Sequence, residues 1–260
     1  MKKLVLTLML FCGLAAWAQQ KPRTWSITPK IGLNISSPTN HPPFYIGTVI
    51  KEIISDGGTI HQAGFSMNRY TMTTATAIKS GWAGGVEVQY QFNSRLGISL
   101  GAYYSQQGVR YDNIALGDVP LPDGQEPIKL GIAKQMNAKT DYITMSILLN
   151  CYVYKGLALK VGLQPAYNVV AEARADLDAE VREGYWIKMQ AGMAEVHKLD
   201  VTVPVGLSYD FPNGLVVDLR YHTGIGNLYS SGWEGLGARE NKPKSRTSMF
   251  QLTVGYKFEL

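Results

Sequence analysis

The residues best suited to move protons near neutral pH are four histidines, His41, His61, His197 and His222. A hydrolytic site acting on lipid would need one of them beside a Ser and an acid. His41 and His61 fall in a long irregular stretch, and His197 just precedes a strongly alternating segment. Asp218 and His222 share one face of a strand-like run, but four residues apart they lie about 13 Å from each other at ~3.3 Å per residue. No Ser is placed beside either of them by spacing, so a polar or loop histidine is the expectation and no catalytic residue is assigned. Gly224-Ile225-Gly226 and Gly232-Trp233-Glu234-Gly235 are glycine-rich, yet they lack the strand-turn-helix context of a phosphate cradle. Cys12 and Cys151 give no metal-ligand spacing. Neither a metal nor another cofactor is expected.

The N-terminus says where the chain goes. Lys2 and Lys3 precede the apolar run from Leu4 to Leu14, and Ala16-Trp17-Ala18 follows. A basic start, a short apolar core and an A-x-A site read as a secretory signal cleaved after Ala18, and the run is too short for a membrane-spanning helix, which needs ~20 residues. Cleavage would discard Cys12 and leave Cys151 without an intramolecular partner. It would also lower the formal charge of +5 by the two lysines to +3, too small a surplus to suggest nucleic acid. Domains are therefore expected as a signal at 1–18 and one folded unit at 19–260. The composition, 45% hydrophobic over 260 residues, fits a folded chain.

No later stretch resembles a membrane helix, and the pattern that dominates is strict alternation. Leu199, Val201, Val203, Val205, Leu207, Tyr209 and Phe211 share one face, against Asp200, Thr202, Pro204, Gly206, Ser208 and Asp210. The same period runs through seven further segments: Trp25 to Ile35, Trp82 to Phe92, Leu96 to Ser105, Ile143 to Cys151, Leu157 to Tyr167, Leu215 to His222 and Phe250 to Leu260. Eight strands of about a dozen residues exceed the soluble mode of about five or six and suit a tilted crossing of a bilayer.

Connections alternate as well. Asn93-Ser94, Lys155-Gly156 and Pro212-Asn213-Gly214 are tight turns, whereas Ser37 to Ser80, Asp112 to Lys139, Glu172 to Lys198 and Tyr229 to Arg246 are long. Glu172 to Lys198, which mixes Glu, Asp, Arg and Lys with Tyr185, Trp186 and Ile187, is expected to be a solvated loop, whose first part could form a short external helix. The expected fold is all-β: a closed antiparallel up-and-down transmembrane β-barrel of about eight strands, with short periplasmic turns and long extracellular loops. The apolar face must then meet lipid, with Trp25, Trp82, Tyr90, Phe92, Tyr167, Tyr209, Phe211, Tyr256 and Phe258 in interfacial girdles. The polar face must line the lumen, carrying Lys30, Glu87, Lys160, Asp200, Asp210, Asp218, Arg220 and Lys257. Eight strands enclose only room for side chains, so these charges are expected to pair as a structural network. A soluble ligand-binding barrel would instead hold its apolar face inside, and the near absence of charge on that face speaks against it.

The segments Tyr142-Ile143-Thr144-Met145-Ser146-Ile147-Leu148-Leu149, Gly156-Leu157-Ala158-Leu159-Lys160-Val161-Gly162, Val217-Asp218-Leu219-Arg220-Tyr221 and Val254-Gly255-Tyr256-Lys257-Phe258 resemble the PorT-like outer-membrane β-barrel family common in Bacteroidetes. The resemblance covers nearly all of the mature chain and implies an eight-stranded outer-membrane barrel. The chain departs from that pattern at Thr144 and Ser146, where the family tends to show Glu and Pro, and in ending on Leu260 rather than on an aromatic residue. No residue carries over the family's role in type IX secretion.

The functional expectation is a non-enzymatic outer-membrane protein whose long loops engage a surface protein or glycan. A narrow small-solute pore and, last, a lipid-modifying enzyme are the alternatives. Expected partners are outer-membrane lipid and the barrel-assembly machinery during biogenesis, with the protein itself a monomer and no nucleic acid bound.

Overall fold

The computed structural model describes residues 20–39, 52–55, 58–61, 75–115, 118–119, 128–129, 132–174, 176–182, 185–190, 195–231 and 245–260. The expected signal segment with its cleavage site, His41 and the middle of the last long loop lie outside them. Eight long strands follow the alternating segments: β1 Thr24–Ser36, β2 Lys79–Gln91, β3 Leu96–Ala115, β4 Ile132–Tyr154, β5 Leu157–Arg174, β6 Leu199–Asp210, β7 Leu215–Gly224 and β8 Ser248–Tyr256. Each is antiparallel to its neighbour in sequence, and β8 returns to β1 with Lys30 opposite Gly255 and Asn34 opposite Gln251. The sheet therefore closes and leaves no free edge along the barrel. Phe258–Glu259 prolongs the seam, pairing Ser26 with Glu259, and Ala75–Ala77 adds a short extra strand against β3.

Closure turns the period of two into an inside and an outside. On β1, Ser26, Thr28, Lys30, Asn34 and Ser36 are buried, while Ile31 and Leu33 are 67% and 61% exposed. Leu100, Ile147, Val205 and Leu252 repeat the outward exposure around the circumference. A continuous apolar belt of this kind has no place on a soluble monomer, and in lipid it is the favourable surface.

Ring pairs bound the belt at both ends. On the tight-turn side are Trp25 with Tyr90 (4.8 Å), Tyr90 with Phe92 (5.2 Å), Tyr209 with Phe211 (4.7 Å) and Tyr256 with Phe258 (4.9 Å). On the other side are Trp82 with Tyr104 (5.1 Å) and Tyr221 with Phe250 (4.8 Å). Trp25 and Ile35 are ten residues apart on β1, roughly 33 Å at ~3.3 Å per residue, or about 25 Å once tilted by ~40°. That matches the apolar band of an outer-membrane barrel.

The turns are local. Asn93 Oδ1 accepts hydrogen bonds from the backbone N–H groups of Arg95 and Leu96, and Gly214 takes φ +90 after Asn213, whose Oδ1 accepts from Leu215 N–H. Positive φ at that position is what the glycine allows.

Two expectations about the long connections change. The stretch from Asp112 to Lys139 is largely strand, because β3 and β4 continue as a paired ribbon up to Ala115 opposite Ile132. The described residues of Glu172 to Lys198 are strand rather than solvated loop or helix over most of their length: Asp176–Arg182 pairs with Tyr185–Gln190 as a hairpin. The cause is legible afterwards: Leu177, Ala179 and Val181 alternate with Asp176, Asp178 and Glu180, a period of two that a helix cannot use. Glu52–Ser55 and Gly58–His61 from the first long connection complete this small four-stranded sheet.

Candidate functional site

The lumen collects its charges at mid-height. Lys30 Nζ lies 2.9 Å from Asp218 Oδ2 and 3.1 Å from Glu87 Oε2. Lys160 Nζ lies 2.9 Å from both Glu87 Oε1 and Asp218 Oδ2. Arg220 donates from Nε to Asp218 Oδ1 at 2.8 Å and from Nη2 to both carboxylates, while Tyr103 donates its hydroxyl to Glu87 Oε2 at 3.0 Å. Five strands thus supply one network of three cations, two carboxylates and the Tyr103 hydroxyl, each side chain no more than 3% exposed. Ions so deeply buried require such mutual contacts.

Small residues make the space. A Cβ on Gly101 would stand 2.6 Å from the Tyr103 ring and 2.6 Å from Ser146 Oγ, and one on Gly206 would stand 2.9 Å from Arg220 Cγ. The Arg220 guanidinium in turn sits 5.9 Å from the Tyr103 ring centroid, within reach of a cation–π contact.

The other lumen residues are distributed above and below. Asp200, nearer the long-loop end, accepts from Thr247 Oγ1 at 2.6 Å and has no part in the central network. Lys257, nearer the tight turns, donates to Asp210 Oδ2 at 2.9 Å, and Tyr152 donates to the same oxygen at 2.8 Å. Gln89 Nε2 ties Tyr152 to Gln91. Sequence reasoning from charge named Lys30, Glu87, Lys160, Asp218 and Arg220, which meet, together with Asp200 and Lys257, which do not join them. It missed Tyr103 and Tyr152; for Tyr103, a place on a lumen face otherwise carrying Gly and Ser was the available signal.

Above the network Asn34 donates to Ser105 Oγ and Gln106 O, both at 2.9 Å, and accepts from Gln251 Nε2 at 3.0 Å. Below it a cavity of about 790 Å³ opens at the tight-turn mouth, lined by Lys155, Asp210, Phe211, Asn213, Tyr256 and Lys257 among others. There Glu259 takes a hydrogen bond from Lys21, which raises the lysine above its ordinary value through that bond first and charge second. Beyond the opposite girdle, Lys139 is raised in the same way by Asp141 at 2.9 Å.

Of the nine aromatic residues named for the interfaces, Trp25, Tyr90, Phe92, Tyr209, Phe211, Tyr256 and Phe258 fall on the tight-turn side, and Trp82 and Tyr167 on the other. Of the histidines, His222 is buried in the lumen and His197 is exposed. Among the described residues no three His, Cys, Asp or Glu side chains converge as a metal would require.

No curated protein matches the chain by sequence. Solved structures similar to it include the attachment invasion locus protein Ail of Yersinia pestis, 11% identical with a TM-score of 0.37, covering 91% of this chain and 99% of that one. The outer membrane protein OprG of Pseudomonas aeruginosa is 14% identical with a TM-score of 0.39 over 91% and 97%. Neisserial surface protein A is 13% identical with a TM-score of 0.38 over 90% and 97%. The family model described as "Outer membrane protein beta-barrel domain" matches residues 17–230, and with the closed, lipid-facing eight-stranded barrel it assigns this chain to that family, resident in the outer membrane.

Proposed function

We propose that this protein is a non-enzymatic surface scaffold, whose barrel is a closed anchor and whose external strands and loops engage a protein or glycan outside the cell. The observation that carries the reading is the uneven height of the wall. Beyond Tyr104 on β3 and Ile143 on β4 both strands continue for eleven residues, about 36 Å at ~3.3 Å per residue, and β5 follows to Arg174. On the other side β1, β7 and β8 stop within a few residues of the belt. A paired ribbon of that reach is a stiff platform for recognition, and loops on a rigid frame are where binding concentrates.

The central ion network is read as a structural seal that holds the anchor closed. The strand motifs support placement among PorT-like barrels of Bacteroidetes, exported by a signal cleaved after Ala18 and inserted by the assembly machinery. The mouth cavity favours a second reading, a narrow solute pore, but the network and Tyr103 stand across its path.

Photo-crosslinkers placed at the exposed Ala171 and Glu172 of β5, beside the ribbon and outside the deletions below, test the scaffold in the native organism. Deleting residues 112–136, or separately 40–74, should abolish crosslinks while the barrel still migrates anomalously when unboiled. An unchanged crosslink profile in both deletions would overturn the proposal.

A further inference from the structure

We propose that the outer wall carries a binding site for the phosphorylated headgroup of an outer-leaflet lipid, built from Lys79, Arg110 and Lys139 around Gly108, just beyond the Trp82–Tyr104 ring pair. Alternation sets the face. On β4, Lys139 and Asp141 share the outer side with the exposed Ile143, Met145 and Ile147, against buried Ala138, Thr140 and Tyr142. On β3, Arg110 is exposed and falls on the side of Tyr104 and Gly108, against buried Gln107 and Val109. Lys139 lies opposite Gly108 and Arg110 opposite Asn137, which makes the two cations diagonal neighbours, about 7–8 Å apart along the backbone surface. Lys79 arrives from β2. Its Cδ is 3.0 Å from where a Cβ on Gly108 would stand, and its Nζ donates to Ala138 O at 2.7 Å. It lies close enough for the charges of both Asp141 and Lys139 to act on it. Gly108 keeps this crossing open: its φ is +145, and a Cβ there would also meet Ala138 O at 2.1 Å.

Two observations point this group at a lipid phosphate. The first is how Lys139 is held. Asp141 is wholly buried although it stands on the outer wall; it takes the Tyr104 hydroxyl proton as a hydrogen bond and pairs with Lys139 Nζ at 2.9 Å, while the lysine side chain stays 42% exposed. A covered carboxylate thus fixes an ammonium that still has N–H groups to donate. Glu172, opposite Lys139 on β5, is the other carboxylate beside the group. Three cations against two carboxylates leave one positive charge in excess. The second observation is height. Asp141 stands two residues beyond Ile143, about 5 Å above it at ~3.3 Å per residue and a tilt of ~40°. The headgroup layer reaches roughly 5–7 Å beyond the hydrocarbon. Lys139 Nζ, drawn back to Asp141, therefore sits at the level of lipid phosphates, where charge-assisted N–H···O bonds favour a phosphate over an uncharged headgroup.

Bis-phosphorylated lipid A is the probe, and native mass spectrometry of the folded protein released from detergent reads its binding. The same lipid stripped of its phosphates should bind at least about tenfold more weakly, and inorganic phosphate at equal concentration should not compete. Lys139→Gln and Arg110→Gln should each weaken lipid A binding by about tenfold, the worth of one charge-assisted contact. Asp141→Asn separates positioning from net charge. Simple attraction predicts tighter binding once a carboxylate is lost, whereas loss of the anchor for Lys139 predicts binding roughly three- to tenfold weaker. All three positions lie beyond the belt, and altered migration of the unboiled barrel checks that each variant folds. A further measurement needs no variant: a photoreactive phosphatidic acid in vesicles holding the native protein should label residues 104–110 and 137–141. Labelling spread evenly around the girdle, equal binding of the dephosphorylated lipid, competition by inorganic phosphate, unchanged binding in both glutamine variants, or tighter binding in Asp141→Asn would each overturn the site.

Discussion

Glu87 and Asp218 each bind three buried cations, so the loss of either carboxylate leaves charges that no other described side chain can reach. Glu87→Gln should therefore cost about 3–5 kcal/mol, the range for breaking a buried ion pair from one side, measured by urea titration of the protein refolded into lipid vesicles. Lys30→Met is the informative contrast, because it removes the charge in excess; its loss should be under about 1 kcal/mol or reversed in sign. Similar losses for the two variants would refute a role for charge balance. Packing is testable beside charge. Gly101→Ala drives a methyl group into the Tyr103 ring and Ser146 Oγ, both at 2.6 Å, and should cost about 1–3 kcal/mol. Because both obstacles are side chains rather than backbone, Tyr103→Leu in the same chain should restore part of it. That the residues bearing charge would face inward was readable from alternation, since Lys30, Glu87, Lys160, Asp218 and Arg220 all occupy polar positions of their strands. Their partnership was not, because, Asp218 with Arg220 apart, the contacts join residues 57 to 188 positions apart and depend on the shear of a closed sheet, which no local pattern encodes.

At the scale of the strand, one face sees hydrocarbon and the penalty for charge should follow depth. Ile147, 49% exposed on the outer face, lies four residues inside the girdle residue Ile143 and near the middle of the belt, whereas Ile35 stands at its edge. Ile147→Arg should destabilise the refolded barrel by about 2–4 kcal/mol and Ile35→Arg by about 0–1 kcal/mol. Equal penalties would contradict the proposed position of the bilayer. The same reasoning explains which parts of the elements were legible. Within the belt, lipid on one side and packed lumen on the other impose opposite chemistries on alternate residues, and the eight segments announce themselves. Past the girdle the lipid constraint ends, and β3 and β4 run on through Asp112 and Lys139 without an apolar period to mark them. The Asp176–Arg182 hairpin shows the complementary failure. Its charged alternation is weak enough to be taken for a solvated loop or a short helix, although Leu177, Ala179 and Val181 already keep strand period.

The whole molecule is an anchor only if its lumen is closed, and this separates the scaffold from the pore. Eight strands leave an interior that side chains can fill, and here Lys30, Tyr103, Lys160 and Arg220 extend across it toward two central carboxylates. Below them Tyr152, Lys257 and Asp210 form a second tier. Hydrated ions would have to break buried pairs to pass. Purified protein inserted in planar bilayers should thus show no steady conductance, despite full insertion judged by protease resistance of the belt and by altered migration of the unboiled barrel. The variant Lys30→Ala/Tyr103→Ala/Arg220→Ala shortens three side chains at one level while leaving Lys160 to balance one of Glu87 and Asp218. If it remains folded by the same migration test, it should conduct, because the second tier sits beside the wide mouth cavity rather than across the narrowest level. Steady single-channel currents from the native protein would instead assign the lumen to transport and leave the long strands as its vestibule.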